Sequence, residues 1–179
     1  RVVLDAKHKG DAPAEGELVC VQSSTSNVLG VGHWQVGSIA VRILSFGSDS
    51  LPADFWRTRI RAAYKVRESL SLVRKDNNTF RLVHGEGDNL PGLIVDIYAD
   101  TAVVQAHSVG MHVCRKEIAD AILAEVPQVQ NIYYKSDDTL PFKAPIEGDK
   151  IGYLISDYQF PAPLGEGQEG ADEFWSVEN

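Results

Sequence analysis

The stretch that most resembles a chemical site runs Gly85-Glu86-Gly87-Asp88-Asn89-Leu90-Pro91-Gly92. A phosphate loop needs a Gly-Lys-Ser/Thr ending at a helix N-terminus, and a dinucleotide fingerprint needs a helix after its glycines. Here a strand follows and two carboxylates repel phosphate, so the stretch reads as a hairpin turn whose glycines supply positive φ. Glu86 and Asp88 could form an acid–base pair or hold a hard cation, but no EF-hand spacing surrounds them. A structural role is simpler. One of the two pairs with Arg67 or Arg59, arginines that fall inside the apolar arc of the preceding helix and need a carboxylate there.

Other reactive residue types are scattered. Of His8, His33, His84, His107 and His112, only His107 and His112 lie close, with no third ligand in view, so each reads as a partly buried or surface side chain. Cys20 and Cys114 belong to no CxxC or Cys/His cluster, which argues against a disulfide framework and a structural zinc site. They read as core filling. No metal and no Ser/His/Asp set is expected.

Cationic side chains, by contrast, are concentrated. Residues 55–75 hold Arg57, Arg59, Arg61, Lys65, Arg67, Arg74 and Lys75 against Glu68 alone, which gives this segment +6 in a chain of net charge −8. Residues 157–179 contribute six acids and no base. Because salt limits electrostatic reach to about 8 Å, a local basic field can attract phosphate on an acidic molecule. Arg57, Arg61 and Lys65 are spaced by four, opposite an arc of Trp56, Ile60, Ala63, Tyr64 and Leu70. That stripe could neutralise phosphates with release of counterions, with Arg42 adding a further cation and Trp34 or Tyr64 offering a face for base stacking. A solvated helix face balancing nearby acids is the competing reading.

The elements that must position these residues follow from periodicity. Strands are expected at Leu18–Val21, Val28–Trp34 and Ser38–Leu44, the last with Ile39, Val41 and Ile43 on one face. Their spacing suggests a small barrel. A helix over 52–75 opens with Pro52 near its first turn. Strands at Phe80–Val83, Gly92–Tyr98 and Thr101–Ala106, a helix over 111–125 ended by Pro127, and strands at Asn131–Tyr134 and Ile151–Ile155 complete the pattern. Runs of strands around one helix imply an α+β fold with a mainly antiparallel sheet. The 179 residues suit one large or two small domains, and 44% hydrophobic and 23% charged residues are ordinary for a soluble protein. No apolar run approaches the roughly 20 residues that span a bilayer, and no secretory signal is evident, so a cytoplasmic location without membrane contact is the default.

Two segments together resemble a known family. Gly32-His33-Trp34 followed by Gly37-Ser38-Ile39-Ala40-Val41-Arg42 resembles the end of a PUA-like barrel. Phe55-Trp56, then Arg59 and Arg67, then Arg81-Leu82-Val83-His84-Gly85-Glu86-Gly87-Asp88 and Leu90-Pro91-Gly92-Leu93-Ile94-Val95-Asp96 resemble the middle of the ribosomal RNA cytosine-C5 methyltransferases of the large subunit. The resemblance covers most of 28–107; beyond 108 it reduces to matching elements, with Val177-Glu178-Asn179 also fitting. It implies an N-terminally truncated PUA-like RNA-binding domain over 1–50, a basic connecting helix over 51–75, and a central β-β-α-β-β domain over 76–179. A Rossmann-like domain carrying S-adenosylmethionine and the catalytic cysteine would follow residue 179. On this reading Cys20 and Cys114 inherit no role. The chain itself binds no cofactor, and its partners are large-subunit ribosomal RNA and its own methyltransferase domain, with a homodimer as a further option.

The pattern is departed from at the start, where the opening barrel strand is missing or cut short, and over 135–173, an acidic, glycine- and proline-rich stretch that does not align. Arg1 at the start and Phe174–Asn179 at the end, which reads as a strand in progress, lead to the expectation of a piece of a longer protein, inactive by itself. Two other readings stand beside it: a non-catalytic RNA-binding or ribosome-assembly adaptor, and a protein-interaction module docking its basic helix on an acidic partner.

Overall fold

The computed structural model of the protein describes residues 13–141 and 148–155. The expectations for residues 1–12 with His8, for the acidic 157–179 segment and for a strand at Phe174–Asn179 lie outside the described residues.

Strands β1 (Leu18–Gln22), β2 (Val28–Trp34) and β3 (Val41–Phe46) form an antiparallel sheet in the order β1-β2-β3. Among the described residues this sheet is open, so the expected closed barrel is not formed by them. β3 begins at Val41 rather than Ser38 because the Gln35 amide donates to the Ala40 carbonyl (2.9 Å) and closes a turn first. Ile39 is consequently exposed instead of sharing a face with Val41 and Ile43. At Gly32 the register shifts between β2 and β3, and a Cβ there would sit 2.1 Å from the Arg42 carbonyl oxygen. Only glycine permits that approach.

Helix α1 (Phe55–Ser69) is shorter than the 52–75 expected. Ser71 adopts φ 55° immediately after it, and the Leu72 amide turns back to the Arg67 carbonyl (3.0 Å). Ile60 and Ala63 of the anticipated apolar arc are buried and Trp56 and Tyr64 half-buried, whereas Leu70 lies beyond the helix and is exposed.

The second sheet contains β4 (Thr79–His84), β5 (Leu93–Tyr98), β6 (Thr101–Ala106), β7 (Asn131–Lys135) and β8 (Ile151–Ile155) in that order. All neighbours are antiparallel except β6 and β7, which run parallel across α2 (Val109–Val113) and α3 (Arg115–Glu125). The α+β class and the mainly antiparallel sheet are therefore observed, and three strands precede the helices, as periodicity placed them, where the β-β-α-β-β pattern implied by the resemblance has two. The helix expected over 111–125 is two helices meeting at Cys114. The Ser108 hydroxyl caps the first by accepting from the Met111 amide (3.4 Å).

Alternation along the strands sends Leu82, Leu93, Val95, Ile97, Ala102 and Val104 to one face, where Ile60 of α1 and Ile118 and Ile122 of α3 meet them, all 1% exposed or less. Each such Leu or Ile contributes about 2 kcal/mol. Leu44 of β3 belongs to the same cluster. The helix expected as a basic connector packs on α3 and β4.

Two polar contacts lock the layers. Arg67 is buried on α1, where its Nε donates to the Arg81 carbonyl (2.9 Å) and its Nη2 to Asp88 Oδ2 (2.8 Å), while Nη1 engages Asp88 Oδ1. Asp88 closes the 3-10 turn Gly85–Asp88 between β4 and β5 and also accepts from the His84 amide (2.6 Å). Burial pushes its carboxyl up, but the hydrogen bonds from Arg67 and His84 outweigh that and hold it below the usual carboxylate range. The other two members of the anticipated ion-pair set lie elsewhere. Glu86 is exposed on the turn, and Arg59 donates to the Leu44 carbonyl (3.1 Å) with its guanidinium 5.3 Å from the centre of the Phe55 ring.

The second lock is His33 of β2. It is buried, stacks on Trp56 (6.5 Å between centroids) and lies so close to α2 that a Cβ on Gly110 would meet its ring at 2.1 Å. Burial pushes its pKa down to about 4.

Replacing Arg67 with Met leaves the Asp88 carboxylate without its cation, and urea unfolding should show a loss of about 3–5 kcal/mol. The double variant Arg67→Met/Asp88→Leu should recover part of it, and a single-variant loss within experimental error would contradict the pair's structural role. His33 prefers its neutral form when folded. Its contribution is therefore complete above its unfolded pKa near 6.5 and is lost as pH falls from there toward 4, by on the order of 3 kcal/mol. Asp88, whose carboxyl is likewise held below its unfolded value, contributes stability that is present above that value and lost only below it. Denaturation midpoints measured across pH should therefore lose their slope between pH 6.5 and about 4 in a His33→Asn variant and keep the slope below it that comes from Asp88.

Candidate nucleic-acid interface

The outward side of α1 presents Arg57, Arg61 and Lys65, all exposed. They sit there because Phe55, Ile60, Ala63 and Arg67 occupy the inward side. One carboxylate from elsewhere in the chain meets this stripe. Glu125, the last residue of α3, reaches it. Arg57 Nε donates to Glu125 Oε1 (2.8 Å), and Arg61 donates through Nε to Oε2 (2.6 Å) and through Nη2 to Oε1 (2.8 Å). The Glu125 side chain is only 8% exposed, against 56% and 46% for Arg57 and Arg61, so the carboxylate is enclosed and the guanidinium groups remain in contact with solvent. Hydrogen bonds from Arg61, opposed by burial and reinforced by Arg57 and both charges, hold the Glu125 carboxyl down at about 2. Two cations share one anion. Lys65 has no carboxylate partner among the described residues, which leaves the stripe a net charge of +2.

The expected contributions from the first sheet are separate. Arg42 on β3 is half-buried and donates to Gln35 Oε1 (2.6 Å). Trp34 on β2 is half-buried, and its Nε1 is sealed without a partner among the described residues. Among the described residues, the structure joins neither residue to the α1 stripe by a hydrogen bond or ion pair.

It extends the stripe in a direction the sequence did not indicate. Tyr64 Oη donates to Gln128 Oε1 (3.1 Å), in the loop after α3. Gln128 lines a cleft of about 510 Å³ together with Arg74, Lys75, Asn77, Asn78 and Asp100. These residues come from three loops far apart in the chain, and spacing alone could not group them.

Cys114 is not set up as a nucleophile. Cys114 has its Sγ 3.7 Å from His33 Nε2, and burial, with the charge of Glu117 adding to it, pushes its thiol up to about 11. His112 is buried with Nδ1 2.8 Å from the Tyr134 hydroxyl, and His107 is exposed. No group of three metal-ligating side chains is found among the described residues. The glycine-rich stretch 85–92 does not fit S-adenosylmethionine, because it leads into β5 rather than a helix and its Asp88 is consumed by Arg67.

No family model matches the sequence. The chain is 34% identical over 151 residues to "Ribosomal RNA large subunit methyltransferase I" of Shewanella denitrificans, an alignment covering 81% of this chain and 37% of that protein. Proteins of the same name from Erwinia tasmaniensis (32% over 151 residues; 83% of this chain, 37% of the relative) and Vibrio cholerae (31% over 144; 79% and 35%) are also similar. The chain thus spans little more than a third of the length of the curated relatives it matches. Among solved structures, a candidate S-adenosylmethionine-dependent methyltransferase from Streptococcus mutans superposes with a TM-score of 0.63 at 19% identity. A candidate methyltransferase in complex with SAH superposes at 0.64, also at 19% identity. Each alignment covers 86% of this chain and 37% of the other, and at that identity shows a shared fold.

A thiol with a pKa near 11 holds on the order of 100-fold less thiolate than one at the ordinary value of 9.0. Peptide mapping after iodoacetamide treatment at mildly alkaline pH should show Cys114 alkylated slower than free cysteine by about that factor. Modification at the free-thiol rate would overturn its assignment as inert.

Proposed function

We propose that this chain holds and positions large-subunit ribosomal RNA for an S-adenosylmethionine-dependent methylation at cytosine C5. The observation that carries this reading is the alignment of four-fifths of the chain, at about one-third identity, with relatives named ribosomal RNA large subunit methyltransferase I; the C5 position rests on the resemblance read from the sequence. The first sheet serves as the PUA-like module, and α1 neutralises phosphates. Methyl transfer is assigned to a separate domain, since Cys114 is not activated and the stretch 85–92 offers no cradle for the cofactor. The partners on this reading are the ribosomal RNA and that methyltransferase domain, and the location is cytoplasmic.

The physical role of α1 follows from its charges. Each phosphate contact contributes about 0.7–0.9 to the slope of log affinity against log salt. Arg57 and Arg61 keep much of their surface in solvent while bound to Glu125, so an incoming phosphate can share them without their first being desolvated. The enclosed carboxylate fixes both guanidinium groups in place, which lowers the ordering cost of gripping a backbone.

Fluorescence anisotropy with a structured ribosomal RNA fragment at several salt concentrations tests this. The net charge of the stripe predicts a slope contribution of about −1.5 to −2 from α1. A Glu125→Gln variant adds one net cation and should steepen the slope by roughly 0.8 while tightening binding about two- to fivefold. Unchanged slope and affinity in that variant would exclude α1 from the interface, and no binding by the unaltered chain would end the proposal.

A further inference from the structure

We infer that the cleft beside the C-terminal end of α1 receives a single unpaired nucleotide of the RNA, its base against side-chain amides and its phosphate against Lys75. This rests on the RNA-holding function proposed above and adds a site to it.

The cleft's volume of about 510 Å³ lies within the roughly 300–1,000 Å³ of small-molecule sites. Its walls are held from three sides. Asn77 Nδ2 donates to the Leu72 carbonyl (2.6 Å), the Ala99 amide to the Asn78 carbonyl (2.8 Å), and the Gln130 amide to the Asp100 carbonyl (2.8 Å). Val73 and Ala99 supply apolar surface for a ring to lie on. Ala99 does so at φ 55°, a left-handed conformation that costs a non-glycine residue on the order of 1–2 kcal/mol. Non-glycine residues held in such conformations concentrate at binding sites.

The polar groups match a base better than a free anion. Side-chain amides offer donor and acceptor together, the pattern that reads base edges, and a carboxylate such as Asp100 accepts from an exocyclic amino group but repels a lone phosphate. The cations lie at exposed positions of the α1–β4 connection. Arg74 is paired with Asp76 (2.9 Å), whereas Lys75 has no carboxylate partner among the described residues. The position also fits a strand running along α1. The Tyr64–Gln128 hydrogen bond joins the cleft to the helix beside Lys65, one turn from Arg61. A backbone neutralised by Arg61 and Lys65 would run along the helix that Gln128 joins to the cleft, where an unstacked base can enter.

The test compares a labelled unpaired RNA oligonucleotide with the duplex of the same sequence, both titrated with the 179-residue chain. In an Asn78→Ala/Gln128→Ala variant the unpaired probe should lose about tenfold in affinity, while the duplex stays within about twofold. The retained duplex binding reports that the variant is folded. Lys75→Glu should weaken both probes. Equal loss on both probes in the double-alanine variant, or loss on neither, overturns the cleft as a nucleotide site and leaves the RNA reading standing. Absence of binding of either probe to the unaltered chain overturns both.

Discussion

The bidentate contact between Arg67 and Asp88 sets the geometry on which the rest depends. It fastens the last turn of α1 to the β4–β5 hairpin, and Arg67 Nε extends the tie to the Arg81 carbonyl of β4. A guanidinium so deep in the structure is tolerable only with its donors satisfied. Once satisfied, it fixes the rotation of α1 about its own axis. That rotation decides which side chains face outward, and therefore that Arg57, Arg61 and Lys65 do.

The acidity of the chain and its basic helix are reconciled by distance. Net charge describes the far field, which salt removes within about a nanometre. Contact with a sugar–phosphate backbone is decided by what lies within a few ångströms. On that scale Glu125 does not cancel the stripe. It is enclosed between the bases of two arginines whose outer surfaces remain available, so it acts as a brace. The lock at His33 couples the first sheet to α1 and α2 through ring contact rather than charge.

Much of the second sheet could be read from the chain because alternation is a local signal: β6 and β8 fall at their expected bounds, as β2 does in the first sheet. That Arg67 needed a carboxylate was equally legible, since a cation on an apolar arc is a local contradiction. What could not be read was set by partners distant in sequence. Glu125 lies more than 60 residues from the arginines it holds, so helix spacing made the stripe look unopposed. The break at Cys114 and the late start of β3 depend on backbone closures that hydrophobic pattern does not encode. His33 carried no signal, because a lone histidine on a strand looks the same whether it faces water or a neighbouring helix.

The one parallel pairing in the sheet bears on the order in which the molecule assembles. β4, β5 and β6 are joined by short connections and can zip as successive hairpins, with little loop entropy to overcome. β7 can join β6 only after residues 107–130 have folded back as α2 and α3. The Ala99–Asp100 turn is therefore in place early, and Gln128 arrives opposite it late. During synthesis, the surface proposed to face RNA is completed only when β7 joins the sheet, and a nascent chain that has formed only its hairpins does not yet present it.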